Sequence, residues 1–213
     1  SLRKPMKLKK QQRYGENIEV YSLRGTTGAC CQLALEYWLK DDLPDLIVSG
    51  INDGFNTGSD CLYSGTVAGA LEGIFAGIPS MAVSMESMAD GTLLRETAAF
   101  AADLVSGYFM KKRYTGILNV NIPKIKPEKV SWENVKVARL GLLRYSNVIA
   151  GKRTKADEME FIMRGRPLER YEPETDVYWS RKGYITITPL QWNQTDFENL
   201  REVGKLTAAF IDA

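Results

Sequence analysis

The 213-residue sequence contains no histidine, only three cysteines and almost no net charge, with 28 Lys and Arg against 26 Asp and Glu. Without imidazole, these residues cannot supply a Ser-His-Asp or Cys-His catalytic set, a phosphohistidine intermediate or histidine-ligated zinc. Cys30 and Cys31 are adjacent and Cys61 stands apart, so there is neither a disulfide framework nor Cys-x-x-Cys metal spacing. Reduced thiols in a cytoplasmic protein are expected. No apolar run approaches the roughly 20 residues that span a bilayer, and the first residues lack a signal-peptide core. The expectation is a soluble, cytoplasmic chain without a membrane partner. A formal charge of +2 gives no case for dedicated nucleic-acid binding, yet it does not repel a small phosphorylated molecule.

What is present centres on Pro44 to Ser84. Asp45-Leu46-Ile47-Val48-Ser49 is short, apolar and branched, and reads as a strand buried on both faces. A loop follows with glycine at every fourth position, Gly50, Gly54 and Gly58. Ser64-Gly65-Thr66 then precedes Val67, Ala70, Leu71, Ile74 and Phe75 at helical spacing, which predicts a helix start. Gly77-Ile78-Pro79 ends that helix, and Met81 to Ser84 reads as the next buried strand.

In an open parallel sheet, ligands collect beyond the carboxyl ends of the strands. A helix beginning there offers unpaired N–H groups, the positive end of its dipole and, at Gly65, close access to the backbone. Asn56, Ser64, Gly65 and Thr66 are therefore candidate phosphate-binding residues. Asn52 carries a neutral oxygen of the kind Mg²⁺ or Mn²⁺ accepts beside carboxylates. Taken singly, each of these residues has a plainer reading, as turn glycine or helix cap. Their crowding into one strand-to-helix connection favours the ligand site.

Elsewhere, Leu8 and its lysines read as an edge strand running from Arg3 to Lys10, Tyr14 to Asn17 as a turn, and Ile18 to Leu23 as its partner strand. Cys30, Leu33, Ala34, Tyr37 and Trp38 share one helical face. Met88 to Gly91 reads as a loop, Leu93 to Lys112 as a long amphipathic helix, and Gly116 to Ile122 as a further strand. Strand-helix-strand-helix-strand order predicts an α/β, doubly wound, mostly parallel sheet. Residues 1–123 would form this incomplete core and carry the phosphate loop. Residues 124–213 would add strands at Val135 to Leu140, Asp176 to Trp179 and Tyr184 to Thr188 as a small accessory region. They would also add a charged extended arm at Gly151 to Arg170. A capping box at Thr195 to Glu198 would open a last helix with Leu200, Val203, Leu206 and Ala209 or Phe210 as its buried stripe.

Ser49-Gly50-Ile51-Asn52, then Gly54, Asn56 and Gly58, then Tyr63 to Gly73 resemble the central signature of the SurE family of metal-dependent nucleotidases. Leu118 to Pro123 and Gly183 to Leu190 are similar to two further blocks of that family, in the same order. Gly25 to Cys30 resembles a third, except that Thr27 stands for a proline and Ala29 for an aspartate. The resemblance implies hydrolysis of nucleoside monophosphates with a divalent cation, Mg or Mn, and a homodimer or homotetramer built through the C-terminal region. It also implies an opening Asn-Asp-Asp-Gly strand that holds the metal, and no such strand is found here. The expectation is that Ser1 falls late in a longer protein. The alternative is a catalytically silent scaffold that keeps the phosphate cradle.

Overall fold

The computed structural model describes residues 5–211 apart from Arg13, Tyr14, Glu16, Ala89, Asn147, Val148, Ala156, Arg164, Glu169 and Arg170. Arg3 and Lys4 of the expected edge strand, Tyr14 and Glu16 of the turn after it, and Ala89 of the later loop lie outside the described residues. In chain order the strands are β1 (Leu8–Lys10), β2 (Tyr21–Leu23), β3 (Ile47–Asp53), β4 (Ser80–Met85), β5 (Ile117–Ile122) and β6 (Val135–Val137). They continue with β7 (Tyr145–Ser146), β8 (Ile149–Lys155), β9 (Glu158–Met163), β10 (Arg166–Pro167) and β11 (Ile185–Leu190). The helices are α1 (Thr27–Leu33), α2 (Gly65–Phe75), α3 (Gly91–Leu104), α4 (Asp176–Arg181) and α5 (Phe197–Ile211). A wider π turn extends α1 through Trp38 and another extends α3 through Lys111.

The central sheet has the order β3-β4-β5-β11-β6 among the described residues. β3, β4 and β5 are parallel, β11 runs antiparallel to β5, and β6 is parallel to β11. The α/β class and the mostly parallel sheet are thus as the sequence predicts. Side chains alternate between the faces of a strand, and here the two faces differ in chemistry. Met81, Val83, Met85, Leu118, Val120, Ile122, Ile185 and Ile187 pack against Leu93, Phe100 and Leu104 of α3. The α2 side is smaller and more polar. Ser49, Ala82, Asn119 and Thr188 form one row across four strands, and Asn52, Ser84, Asn121 and Thr186 form the next.

Helix α2 rests on this polar face through its glycines. A Cβ on Gly69 would lie 2.6 Å from Ser49 Oγ, and one on Gly73 would lie 2.1 Å from Ser80 Oγ. α3 is capped by Asp90, whose carboxylate accepts from the backbone N–H of Thr92 and Leu93, the arrangement preferred by short acidic side chains at an N-cap.

Several expectations need correction. β3 borders β4 on one side only, and Val48 is 48% exposed, so this strand is not buried on both faces. Asp176 to Trp179 is helical, because Thr175 caps α4 by accepting from Tyr178 N–H and Asp176 supplies a first-turn acid. β11 joins the central sheet between β5 and β6, not an accessory region, so the sheet draws strands from both sides of residue 123. The expected arm is an antiparallel hairpin, β8 with β9. α5 is capped by Asp196, which accepts from Asn199 N–H, in place of Thr195. Leu200 and Val203 on α5 are 56% and 57% exposed and form no buried stripe. The side chains of Leu206, Ala209 and Phe210 are outside the description.

Candidate phosphate site

The connection between β3 and α2 leaves the sheet at its carboxyl edge, where Gly54 N–H donates to Met85 O at the end of β4. Because β3 and β4 are parallel and α2 lies between them in sequence, the start of α2 falls at this same edge. Ser64 is the N-cap, extended at φ −78° and ψ 122°, and its Oγ accepts from Val67 N–H at 3.1 Å. Gly65 is exposed and Thr66 is buried. The first-turn N–H groups that the cap leaves open give this end a partial positive charge. An anion of phosphate size is the ligand such an end attracts.

Asn56 has a different place from the one its neighbours suggest. It is 7% exposed. Its Nδ2 donates to Ser84 Oγ at 2.6 Å, and its own N–H donates to Asn121 Oδ1 at 2.8 Å. Its carbonyl accepts from Asn119 Nδ2 at 2.8 Å, Asn121 Nδ2 at 3.2 Å and Cys61 Sγ at 3.1 Å. The Asn121 amide thereby pairs with both backbone polar groups of Asn56 in the manner of a strand neighbour. Asn56 is the keystone that seats the loop on the polar face of the sheet. Asn52 is half-buried, with Nδ2 donating to Gly54 O at 2.9 Å, and Asp53 Oδ1 accepts from Met88 N–H at 2.9 Å.

A second anchor comes from Asp176 at the start of α4. Its fully buried carboxylate accepts from Gly58, Gly141 and Val177 N–H, each at 2.8 Å. Burial raises its pKa above the usual carboxylate value, against the pull of those backbone donors. Gly58 holds φ +55°, and a Cβ there would lie 2.3 Å from Gly141 O, so glycine is required. Ser59 Oγ bridges to both backbone groups of Leu143, and Tyr145 OH donates to Asp60 Oδ2. The loop is thus fixed before it reaches Ser64. Burial also pushes the Cys61 thiol up to about 12, with Asp176 and Asp60 adding to the effect.

Ser64 also lines a groove of about 930 Å³ between α2 and the ends of β6 and β11, together with Val67, Leu71, Arg139, Thr188 and Leu190. Asn52 and Asn56 do not line it. The structural roles of Ser84, Asn119, Asn121 and Asp176 were not anticipated. Polar residues at alternate positions of a strand as apolar as Leu118-Asn119-Val120-Asn121 were the available signal.

A hydrogen-bonded loop thus delivers a capped helix start to the carboxyl edge of the parallel strands of an α/β protein. The comparisons agree on which one: residues 1–147 match the family model described as survival protein SurE, and the chain belongs to that family. It is 34% identical over 211 residues to 5'-nucleotidase SurE of Clostridium botulinum (strain Alaska E43 / Type E3), covering 97% of this chain and 81% of that protein. Identity to 5'-nucleotidase SurE of Pelotomaculum thermopropionicum is 36% over 209 residues, covering 97% and 78%. The crystal structure of SurE protein from Aquifex aeolicus superposes with a TM-score of 0.77 at 29% identity, over 97% of this chain and 82% of that one. No helix among the described residues is long and apolar enough to cross a membrane.

Proposed function

We propose that the chain carries the phosphate-receiving part of a phosphomonoesterase that acts on nucleoside monophosphates. The observation that carries this reading is the exposed start of α2 at Gly65, capped by Ser64 beyond the carboxyl edge of β3 and β4. The N–H groups of Gly65 and Thr66 and the Ser64 hydroxyl hold the phosphate oxygens, while Asn56 acts indirectly by shaping the loop. The helix dipole offsets the charge of the bound ester and orients it with one oxygen outward.

The family resemblance also implies a divalent cation, and the amide oxygen of Asn52 is the candidate ligand in this loop. The described residues do not fit that group by themselves, since no cluster of three or more His, Cys, Asp or Glu could hold a metal ion. Asn52 and Asp53 offer one amide oxygen and one carboxylate with an oxygen already engaged. A hard cation takes about six oxygens.

Calorimetric titration of the purified chain with inorganic phosphate and with nucleoside monophosphates tests the reading. Phosphate binding that falls about fivefold to tenfold in Ser64→Ala is expected, together with about 1 kcal/mol lost from helix capping. Absence of phosphate binding refutes the site. Binding with no phosphate release under Mg²⁺ or Mn²⁺ is the expected behaviour of these 213 residues; manganese-stimulated turnover would overturn that expectation. We further propose a homodimer or homotetramer, because Ile149, Phe161 and Ile162 on the β8–β9 arm and Leu200 and Val203 on α5 are exposed. Sedimentation of a single monomeric species refutes it.

A further inference from the structure

Beyond the phosphate site, the carboxyl edge of the sheet holds an arginine whose hydrogen-bonding capacity is unspent. Arg181 closes α4, and its guanidinium carbon lies 6.0 Å from the ring centroids of both Phe55 and Tyr171. Phe55 is the residue directly before the keystone Asn56. Tyr145 lies close enough to feel the Arg181 charge. Glu86, just past β4, is a further neighbour, with Oε1 3.9 Å from Arg181 Nη1. That separation is an ion pair without a hydrogen bond. The remaining oxygen of Glu86 accepts from Lys124 N–H just past β5 at 2.9 Å. Residues following β3 and β4 therefore flank this guanidinium, and the residue after β5 is tied to it only through Glu86. Among the described residues none of its N–H donors makes a hydrogen bond, and 39% of the side chain is exposed.

Two flanking rings restrict where a guanidinium plane can lie. Arg181 is exposed, so its open donors face solvent and are accessible to a ligand. A held, planar, five-donor fork with open donors suits two adjacent acceptors on a flat partner. A nucleotide presents such a pair at the guanine edge, O6 with N7. Adenine has a donor, N6–H₂, beside its N7 and meets the fork with a clash of donors.

We propose that Arg181, steadied by Phe55 and Tyr171, is a specificity-determining residue that reads the base of the bound nucleotide and favours guanine over adenine. This rests on the nucleoside monophosphate reading above. Calorimetric titration of the 213-residue chain with GMP, AMP and inorganic phosphate separates the two proposals. The expected result is GMP binding about tenfold tighter than AMP, the scale of one good bidentate base contact. Arg181→Gln and Arg181→Lys should both erase that preference and leave inorganic phosphate binding unchanged. The lysine variant keeps the charge and loses the fork, so it isolates geometry from electrostatics and serves if the glutamine variant fails to fold. Equal binding of GMP and AMP alongside intact phosphate binding overturns the base-reading role and leaves the phosphate site standing. A preference that survives in Arg181→Lys also overturns it. Failure of all three ligands to bind removes both proposals.

Discussion

Asn121→Asp is the sharpest test of the loop seat, because it changes one atom of a fully buried amide. Asn121 Oδ1 keeps its acceptor role toward Asn56 N–H. The former Nδ2, which donates to Asn56 O at 3.2 Å, becomes an oxygen facing another oxygen. If the new carboxyl is protonated, its O–H restores the donor and the variant behaves much like the parent. Once ionised, it faces a carbonyl in a dry site with no hydrogen-bonding Lys or Arg among the described residues. Burial of this kind raises a carboxyl pKa by about 3 units or more from about 3.9. The folded state then binds more protons than the unfolded one, so stability falls as pH rises from about 4 to the folded pKa. The slope is about 1.4 kcal/mol per pH unit, which amounts to about 4 kcal/mol at about pH 7 and under about 1 kcal/mol at about pH 4.5. Urea denaturation of parent and variant at those two values reads this as a midpoint drop of roughly 1.5 M at the higher pH and little change at the lower. An equal loss at both, or a loss under about 1 kcal/mol at about pH 7, would show that the Asn121 amide does not grip Asn56 as described.

Gly73→Ala gains about 1 kcal/mol of helix propensity but places a Cβ 2.1 Å from Ser80 Oγ and 2.9 Å from Ile47 Cδ1. Overpacking of about 1–3 kcal/mol wins, and the melting temperature should fall by a few degrees; an unchanged or higher value contradicts the close seating of α2. In the native protein Cys30 should react first with a disulfide reagent at about pH 8, Cys31 more slowly because burial raises its thiol, and Cys61 only after unfolding. A thiol held at about 12 by burial contributes stability below its ordinary pKa that is lost as pH climbs toward that value. Cys61→Ser should accordingly flatten the alkaline fall in melting temperature. A third thiol reacting in the native protein would refute the burial.

The parts of the fold visible in the sequence are those whose signal is local. Val67, Ala70 and Ile74 repeat at helical spacing, Ser64 is a cap followed by that repeat, and Leu118 to Ile122 is apolar enough to be a strand. What escaped depends on partners distant along the chain. Asp176 reads as the first residue of a short strand until Gly58 and Gly141 converge on it from 118 and 35 residues away. Asn56 reads as a ligand because nothing nearby in sequence announces that Ser84, Asn119 and Asn121 use its polar groups. Asp176 to Trp179 reads as a strand because Val177, Tyr178 and Trp179 favour strands by themselves, and the Thr175 cap overrides that preference. For α5 the apolar repeat was legible, but repetition alone does not say whether the covering surface lies in the same chain.

The contrast between the two faces of the central sheet also specifies its register. A shift of β5 by one residue against β4 would turn Asn119 and Asn121 into the methionine- and leucine-lined layer under α3, and would leave Val120 against amides and hydroxyls. Each stranded amide costs about 1–3 kcal/mol, so misaligned pairings are strongly disfavoured relative to the native register. The same side chains that seat the site thereby make its alignment the one arrangement the sheet accepts.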